Sequence, residues 1–486
     1  MKNIIATLAV LLLILTGIRA ESLQAYLSYA VFNTPDNTPY LETYLVVNGK
    51  TLKHGALDDG TFQSVIDIQV IFRMNDSIVN FGKYELSGPI VTDTSNITDN
   101  LLDVQRYSLP EGEYQLEFSI HDRFDNQQPI VSYDQFSIGF RKNEAAFSDI
   151  EFLQSYREAG SDELLVKNGF RLIPYVFNFY PAAINELTFY AELYRSDEIV
   201  GDDQFLVYYY IRPFEVDKKL DQFFYRKRVE AKPVNVFLNK MDISNLPSGN
   251  YLFVMEARDR NNLLMASKEI FFQRENPNTD FNMTKMLVSN IENTFAGSVT
   301  SRDTMVQYID YLYPISTDSE KTIAKALLEE SDLVTLQKYF FNFWLERNPS
   351  SPDQAWYTYK GRVDQVNNDF KSIRIKGYRT DRGRVYLQYG KPNAMAKSYN
   401  EPEAFPYEIW QYDRLNGQSA RKFVFYTRDI ATNDFQLIHS NALGEINNFR
   451  WQNIIYQRTW DPYNLDINVK PDAYGSFATD FYRQPR

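Results

Sequence analysis

A repeated turn-and-strand segment constrains the fold of this chain more than any other feature. LPEGEYQLEFSIHDR begins at Leu109 and LPSGNYLFVMEARDR begins at Leu246, an ungapped offset of 246 − 109 = 137 residues. In each copy Pro and Gly mark a turn, after which large apolar residues alternate with polar ones. The alternation predicts a strand with one buried and one solvated face, present once in each of two tandem units.

Both copies of the repeat end in an Asp-Arg pair, at Asp122-Arg123 and at Asp259-Arg260. Such a pair could contact a ligand, or it could close a turn as a salt bridge. Because both copies place the pair at the same corner, we expect a repeated turn-closing salt bridge.

The repeat lies within two strand-rich units, residues 21–145 and 146–275. Each contains about seven short alternating runs separated by Asn, Asp, Gly and Pro, as in antiparallel sandwiches of the immunoglobulin or fibronectin type. The chain has 35 Tyr and 35 Phe, residues that suit a pleated and half-buried surface. The expected fold class is therefore mainly β, with two tandem β-sandwiches.

After residue 275 the apolar period changes from two to about 3.6, which predicts amphipathic helices. The first spans Met283 to a point near Gly297, and a second follows a cap at Ser331 or Asp332. Four strand-like pieces come next, RVYLQYG, FPYEIWQYD, RKFVFYTRD and DFQLIHS. Residues 276–445 are therefore expected to form an α+β domain with helices on a small antiparallel sheet, and residues 446–486 a loosely structured C-terminal extension.

Four segments of this third region resemble a known family. They are FNFWLERNP at residues 341–349, the expected helix that ends in NDF at 368–370, GYRTDRGRVYLQYGKP at 377–392 and PYEIWQYD at 406–413. Their order and spacing are similar to those of the GWxTD domain of secreted proteins in Gram-negative bacteria. The name-giving tryptophan is replaced by Tyr378, which keeps a flat side chain and loses the indole N–H. The resemblance implies a location in the cell envelope, and it implies no enzymatic activity.

The N-terminus predicts export. Residues 1–20, MKNIIATLAVLLLILTGIRA, have the basic start, apolar run and small final residue of a signal peptide. The apolar run is shorter than the ~20 residues that a spanning helix needs, and no second run follows, so we expect no transmembrane helix in the mature chain. The expected location is the periplasm or the outer-membrane periphery.

Composition excludes several classes of function. With no cysteine, the chain can form neither disulfides nor thiolate metal sites, and it cannot be a lipoprotein. Its three histidines are far apart in sequence, so we expect no metal and no cofactor. A net charge of −12 argues against nucleic acid as a partner.

The GWxTD-like motif supplies the candidate contact residues. They are Gly377, Tyr378, Arg379, Thr380, Asp381, Arg382, Gly383 and Arg384, together with Glu408 and Trp410 of the PYEIWQYD segment.

The favoured interpretation of this motif is a structural joint between helix and sheet. Gly377 would adopt positive φ, Thr380 and Asp381 would form a turn, and Gly383 would allow the reversal into a strand. Tyr378 would pack beneath the turn, and Asp381 would neutralise a neighbouring arginine.

Two functional interpretations stay open. Arg379, Arg382 and Arg384 could bind an anion or a glycan, because one Asp381 cannot neutralise all three. Pairing of these arginines with other acids, such as Glu408 or Asp413, would remove that site. Asp381 and Glu408 could also be paired catalytic carboxylates, but no known catalytic signature accompanies them, so no catalytic residue is predicted.

The expected function is therefore a non-catalytic binding or scaffolding role in an envelope assembly, with a protein as partner. The first alternative is a glycan- or peptidoglycan-binding protein, and the second is a hydrolase with an unrecognised active site.

Overall fold

The computed structural model describes residues 23–277 except 35, 76, 96, 98, 161–165 and 202, residues 290–456 except 417 and 449, residues 477–483, and residue 485. The expected signal peptide, residues 1–20, lies outside the described residues, as do residues 283–289 of the helix expected from Met283. In the rest of that expected helix, Ile291 has no regular secondary structure and Phe295 lies in a turn.

The first sandwich (sandwich 1) consists of a three-stranded sheet packed on a four-stranded sheet. The sheets have the strand orders β1-β2-β7 and β6-β5-β8-β9, and β3 and β4 form a small hairpin. The bounds are β1 Ala25–Phe32, β2 Tyr40–Val47, β3 Gly55–Ala56, β4 Phe62–Gln63, β5 Val65–Met74, β6 Ser77–Ser87, β7 Leu101–Ser108, β8 Gly112–Asp122 and β9 Ile130–Ile138.

The second sandwich (sandwich 2) repeats this plan with extra strands. One sheet has the order β10-β15-β11-β13-β12 with β18 on the other side of β15, and the second has the order β14-β20-β19-β16-β17. The bounds are β10 Ala146–Phe147, β11 Glu151–Glu158, β12 Val166–Lys167, β13 Phe170–Pro174, β14 Phe179–Tyr180, β15 Glu186–Tyr194, α1 Ser196–Val200, β16 Gln204–Pro213, β17 Phe224–Glu230, β18 Val234–Asp242, β19 Gly249–Arg258 and β20 Leu264–Arg274.

The sequence repeat forms the central strands β8 and β19, one in each sandwich. The Tyr114 hydroxyl donates to the Pro110 carbonyl at 2.6 Å, and the Tyr251 hydroxyl donates to the Pro247 carbonyl at 3.0 Å. This is the tyrosine corner of immunoglobulin-like sandwiches, in which a tyrosine bonds the backbone just upstream of its strand. The shared residues therefore build the same corner twice, and the prediction of two sandwiches is confirmed.

The expected salt bridge within each Asp-Arg pair is wrong. The carboxylates of Asp122 and Asp259 accept backbone N–H groups of the turn that follows each strand, from Phe124 at 3.0 Å and from Asn261 at 2.9 Å. The two arginines instead pair with acids elsewhere, Arg123 with Asp67 and Arg260 with Asp203. A carboxylate next to free N–H groups satisfies the turn directly, so the recurring Asp is a turn cap.

The C-terminal domain packs helices on a four-stranded antiparallel sheet of order β21-β22-β23-β24. The bounds are α2 Arg302–Tyr311, α3 Asp318–Glu330, α4 Leu333–Arg347, α5 Pro352–Asp369, α6 Asp381–Tyr389, β21 Ala394–Ser398, β22 Tyr407–Leu415, β23 Gln418–Tyr426, β24 Gln436–Ser440, α7 Trp451–Ile455 and α8 Ala478–Arg483. The described residues of the extension expected to be loose thus include two short helices.

One expected strand is wrong, because RVYLQYG belongs to helix α6. Thr380 caps the helix by accepting from the Gly383 N–H, and Gly390 ends it at φ 85°. A short apolar run fits either period, and the caps on both sides decide for helix here. The first strand of the sheet is instead β21, AMAKS, which was not among the predicted strands.

The two sandwiches and the C-terminal domain pack directly on one another. Sandwich 1 lays the outer face of β1 and β2 on sandwich 2, with Phe32 and Tyr190 in the apolar contact. The ammonium of Lys167, from sandwich 2, lies between the carboxylates of Glu42 in sandwich 1 and Glu151. Arg421 of the C-terminal domain reaches Asp134 of sandwich 1 at 2.8 Å.

Candidate functional site

The GWxTD-like motif forms the junction between the helices and the sheet of the C-terminal domain. Residues Gly377–Arg379 make one turn of 3-10 helix, and Thr380 is the N-cap of α6. The Thr380 hydroxyl also donates to the Gly377 carbonyl at 2.7 Å. The expectation of turn chemistry at Thr380 is therefore confirmed, and the turn leads into a helix.

Neither glycine of the motif has positive φ. Both instead lie where backbone segments pack closely together. A Cβ on Gly383 would lie 1.9 Å from the Gly377 carbonyl oxygen, and a Cβ on Gly377 would lie 2.1 Å from the Val366 carbonyl oxygen of α5. The expected positive φ at Gly377 and the expected reversal at Gly383 are wrong. Only residues without a Cβ let these three backbone segments approach so closely.

Tyr378 is buried in the helical core, as expected. Its hydroxyl donates to the Asp310 carboxylate of α2, and Arg379 contacts the same carboxylate at 2.6 Å. Burial, followed by the hydrogen bond to that carboxylate, raises the pKa of Tyr378 well above its usual value, so the phenol stays protonated. The polar group that replaces the indole N–H thus ties the motif to α2.

Arg382 and Glu408 form an ion pair inside the domain. Arg382 Nη1 lies 2.9 Å from Glu408 Oε1, and the two side chains are 5% and 1% exposed. Trp410 Nε1 donates to Glu408 Oε2 at 2.9 Å, and the Tyr399 hydroxyl donates to Oε1. Arg382 also donates to the Asn433 carbonyl at 3.0 Å. Glu408 and Trp410 are thereby joined to the motif, as the sequence analysis grouped them.

Arg384 forms a bidentate ion pair with Glu445, with Nη1 2.7 Å from Oε1 and Nη2 2.8 Å from Oε2. The expectation that Asp381 neutralises a neighbouring arginine is wrong. Its carboxylate accepts the Leu437 N–H of β24 at 2.7 Å. The motif therefore reaches β24 through Asp381 and the loop after β24 through Arg384.

These contacts limit what the motif can do chemically. Each of its three arginines already has an acid partner, Asp310, Glu408 or Glu445, so the arginines do not form an open fork for an anion. Glu408 is buried and bonded at both oxygens, and Asp381 holds a backbone N–H. The arrangement is suited to holding helix and sheet together.

Sequence reasoning missed Asp310, Asn433 and Glu445, which complete the site. The surplus of arginines left pairing with other acids open, with Glu408 and Asp413 as the named examples; Glu408 pairs with Arg382, whereas Asp413 accepts from Gln411 Nε2. No spacing or motif pointed to the other partners, which lie 51 to 69 residues from the arginines that they bind.

Neither a metal centre nor a membrane span is found in the part of the chain that the structure describes. Among those residues no group of three or more His, Asp or Glu side chains could hold a metal ion. No described helix combines the length and the apolar character needed to cross a bilayer.

Fold and site together define a protein of two fibronectin-like sandwiches followed by an α+β domain whose motif is a helix-to-sheet joint. Residues 272–458 match the GWxTD domain family, so the chain contains a GWxTD domain and the suspected resemblance is confirmed. None of the curated proteins compared with this sequence matches it.

Solved structures resemble the chain only distantly. A glycosyl hydrolase family 2 member from Bacteroides cellulosilyticus has 9% identity and a TM-score of 0.18, over 48% of this chain and 26% of its own. Bacteroides uniformis beta-glucuronidase has 8% identity and a TM-score of 0.18, over 47% and 26%. The fibronectin(III)-like modules of Clostridium thermocellum CbhA have 8% identity and a TM-score of 0.14, over 50% and 89%. The matches span about a quarter of each hydrolase, and at these TM-scores they carry no argument.

Proposed function

We propose that this protein is exported to the cell envelope and acts there by binding, as a non-catalytic scaffold in a periplasmic or outer-membrane-associated assembly. The observation that carries the proposal is the internal use of the motif's charges, which makes the GWxTD motif a joint. The signal-like residues 1–20 support the address, and the Lys167 contact between the sandwiches supports a rigid spacer.

Crosslinking in intact cells tests the proposal. The full chain should appear in the envelope fraction, crosslinked to at least one protein partner identified by mass spectrometry. A chain that begins at residue 21 should remain in the cytoplasm and lose those crosslinks. Recovery of the bait alone under mild detergent would contradict the scaffold role.

A glycan-binding role is the second candidate, and one cavity favours it. A cavity of about 810 Å³ lies between sandwich 1, sandwich 2 and the C-terminal domain, and Tyr26, Phe177 and Trp451 are among its lining residues. Aromatic faces in a cavity of this size suit the apolar faces of sugar rings. Tyr26→Ala should abolish pull-down by purified peptidoglycan, whereas Tyr357→Ala, at an exposed tyrosine outside this cavity, should not.

A further inference from the structure

Strand β17 forms one edge of the five-stranded sheet in sandwich 2. Phe224–Glu230 pairs with β16 through the register from Tyr210 to Gln204, and no described strand pairs with its other side. The backbone N–H and C=O groups along that side are therefore available to an added strand.

The edge carries an unbalanced positive charge. Arg226, Lys227 and Arg228 are consecutive and exposed, and none makes an ion pair or a side-chain hydrogen bond with a described residue. Their cross-strand neighbours on β16 are Tyr208, Val207 and Leu206, so β16 offers them no acid. In a chain of net charge −12, this is a local reversal of sign.

Two aromatic pairs support the strand at its first residues. The rings of Tyr209 and Tyr225 stack with centroids 5.3 Å apart, and those of Tyr208 and Phe224 stack at 5.5 Å. Such cross-strand pairs hold an edge strand in place. A partner that binds a preformed edge loses less conformational entropy than one that must order it.

The alternation along β17 discriminates between kinds of anionic partner. Successive side chains of a strand point to opposite faces, so Arg226 and Arg228 share one face and Lys227 lies on the other. A flat polyanionic surface can contact one of these faces. An added strand presents side chains on both faces and can bring carboxylates next to all three cations.

A charged edge can also exist only to prevent aggregation. The equivalent edge of sandwich 1 argues against that explanation here. Strand β6, which occupies the same place beside β5, exposes Ile78, Val79 and Phe81. Because one edge of this topology carries exposed apolar residues, the basic run of β17 is not a general requirement of the fold.

We infer that β17 is the docking strand for an acidic, extended polypeptide segment of a protein partner, which adds to the sheet beside it. The inference rests on the proposed scaffold function and specifies the chemistry of the partner.

A labelled ten-residue peptide of Glu-Glu-Thr-Thr repeats, which places carboxylates on both faces of a strand, tests this inference by fluorescence anisotropy with the full chain. We expect saturable binding that weakens as salt rises. The same peptide N-methylated at alternate residues keeps its charge and loses strand-pairing donors, so it should bind at least tenfold more weakly. Arg226→Glu/Arg228→Glu should weaken binding of the unmodified peptide at least tenfold.

Matched variants complete the test. Lys391→Glu/Lys397→Glu makes the same change in net charge, with Lys397 on the edge strand β21, and should leave binding unchanged. If reversal destabilises the sandwich, Arg226→Gln/Arg228→Gln replaces it. No binding, equal binding of the methylated peptide, or equal binding by polyphosphate would overturn the inference. Envelope crosslinks that persist in the β17 variant would refute the docking strand alone, whereas their absence in the wild type would refute the scaffold role.

Discussion

At the scale of single residues, the motif depends on two glycines that lack a Cβ as much as on its charged side chains. Gly377 and Gly383 lie where a Cβ would collide with backbone oxygens, and such oxygens cannot move aside as the end of a flexible side chain can. Tyr378 adds a hydroxyl bond to Asp310. These residues therefore specify one arrangement of α5, the 3-10 turn and α6.

Replacing Gly383 by alanine should destabilise the C-terminal domain. The added Cβ would lie 1.9 Å from the Gly377 oxygen, and overpacking of this kind costs about 3 kcal/mol. Urea unfolding followed by tryptophan fluorescence measures the loss. Gly361→Ala is the matched control, since its Cβ meets nothing within 4 Å on the exposed side of α5, and it should stabilise by about 0.8 kcal/mol. Equal effects of the two changes would contradict the close-approach explanation.

Tyr378→Phe should also destabilise this domain, because it removes the donor to Asp310 and leaves the ring in place. Hydrogen bonds to charged groups contribute about 1.5 to 3 kcal/mol. The same urea experiment applies, with Tyr357→Phe at an exposed tyrosine as the neutral control. A loss no larger than that of the control would show that the hydroxyl bond contributes nothing.

At the scale of elements, short contacts hold the C-terminal helices on the sheet. His439 of β24 is buried, and its Nδ1 accepts the Asn448 N–H at 3.1 Å. The proton of the neutral ring is therefore on Nε2, which lies 2.7 Å from the Tyr482 hydroxyl of α8. A second proton would go to Nδ1 and remove the acceptor of the Asn448 N–H, so the buried ring keeps both contacts only while it is uncharged.

Acid should weaken this attachment. Burial lowers the pKa of His439 from 6.5 to about 3, so its contribution is complete above pH 6.5 and is lost progressively as the pH falls below that value. From pH 7.5 to 5.0 the loss is about 2 kcal/mol, measurable as a fall in the urea midpoint. His439→Gln should reduce this pH dependence, and His54→Gln should preserve it. An unchanged pH dependence in His439→Gln would disprove the assignment.

At the scale of the whole molecule, polar contacts join domains that the sequence predicts as separate units. Lys167, 7% exposed, lies between Glu42 and Glu151 at the boundary of the two sandwiches. The Lys167 ammonium also lies 3.6 Å from the centroid of the Phe32 ring. The cation, its acids and the ring come from both sandwiches, so the cluster sets their relative orientation.

Lys167→Met should therefore separate or unfold the sandwiches. Removing one partner of a buried ion pair leaves uncompensated carboxylates and costs about 3 to 5 kcal/mol. Calorimetry should show an earlier transition, which Glu42→Gln and Glu151→Gln added together should partly restore. Lys240→Met breaks an exposed pair with Glu186 and is expected to leave the transition unchanged. Similar behaviour of the two lysine variants would mean that the buried cluster does not join the two sandwiches.

The features that could be predicted from the sequence are local and periodic. The 137-residue repeat predicted both tyrosine-corner strands, because alternation and turn residues depend on near neighbours in the chain. The turn at Thr380 was predicted for the same reason, whereas the helix that it caps was not. RVYLQYG was predicted as a strand because a seven-residue segment fits both periods, although the caps at Thr380 and Gly390 make it a helix.

The partners of the charged residues depend on the folded arrangement of the chain. Arg379, Arg382 and Arg384 looked like a surplus in the sequence, and their acids come from α2, β22 and the loop after β24. An ion pair depends on distance in space, which spacing along the chain does not encode. The same reason applies to Lys167, whose two acids come from β2 and β11. It also applies to the cations of β17, because only the fold shows that no described acid pairs with them.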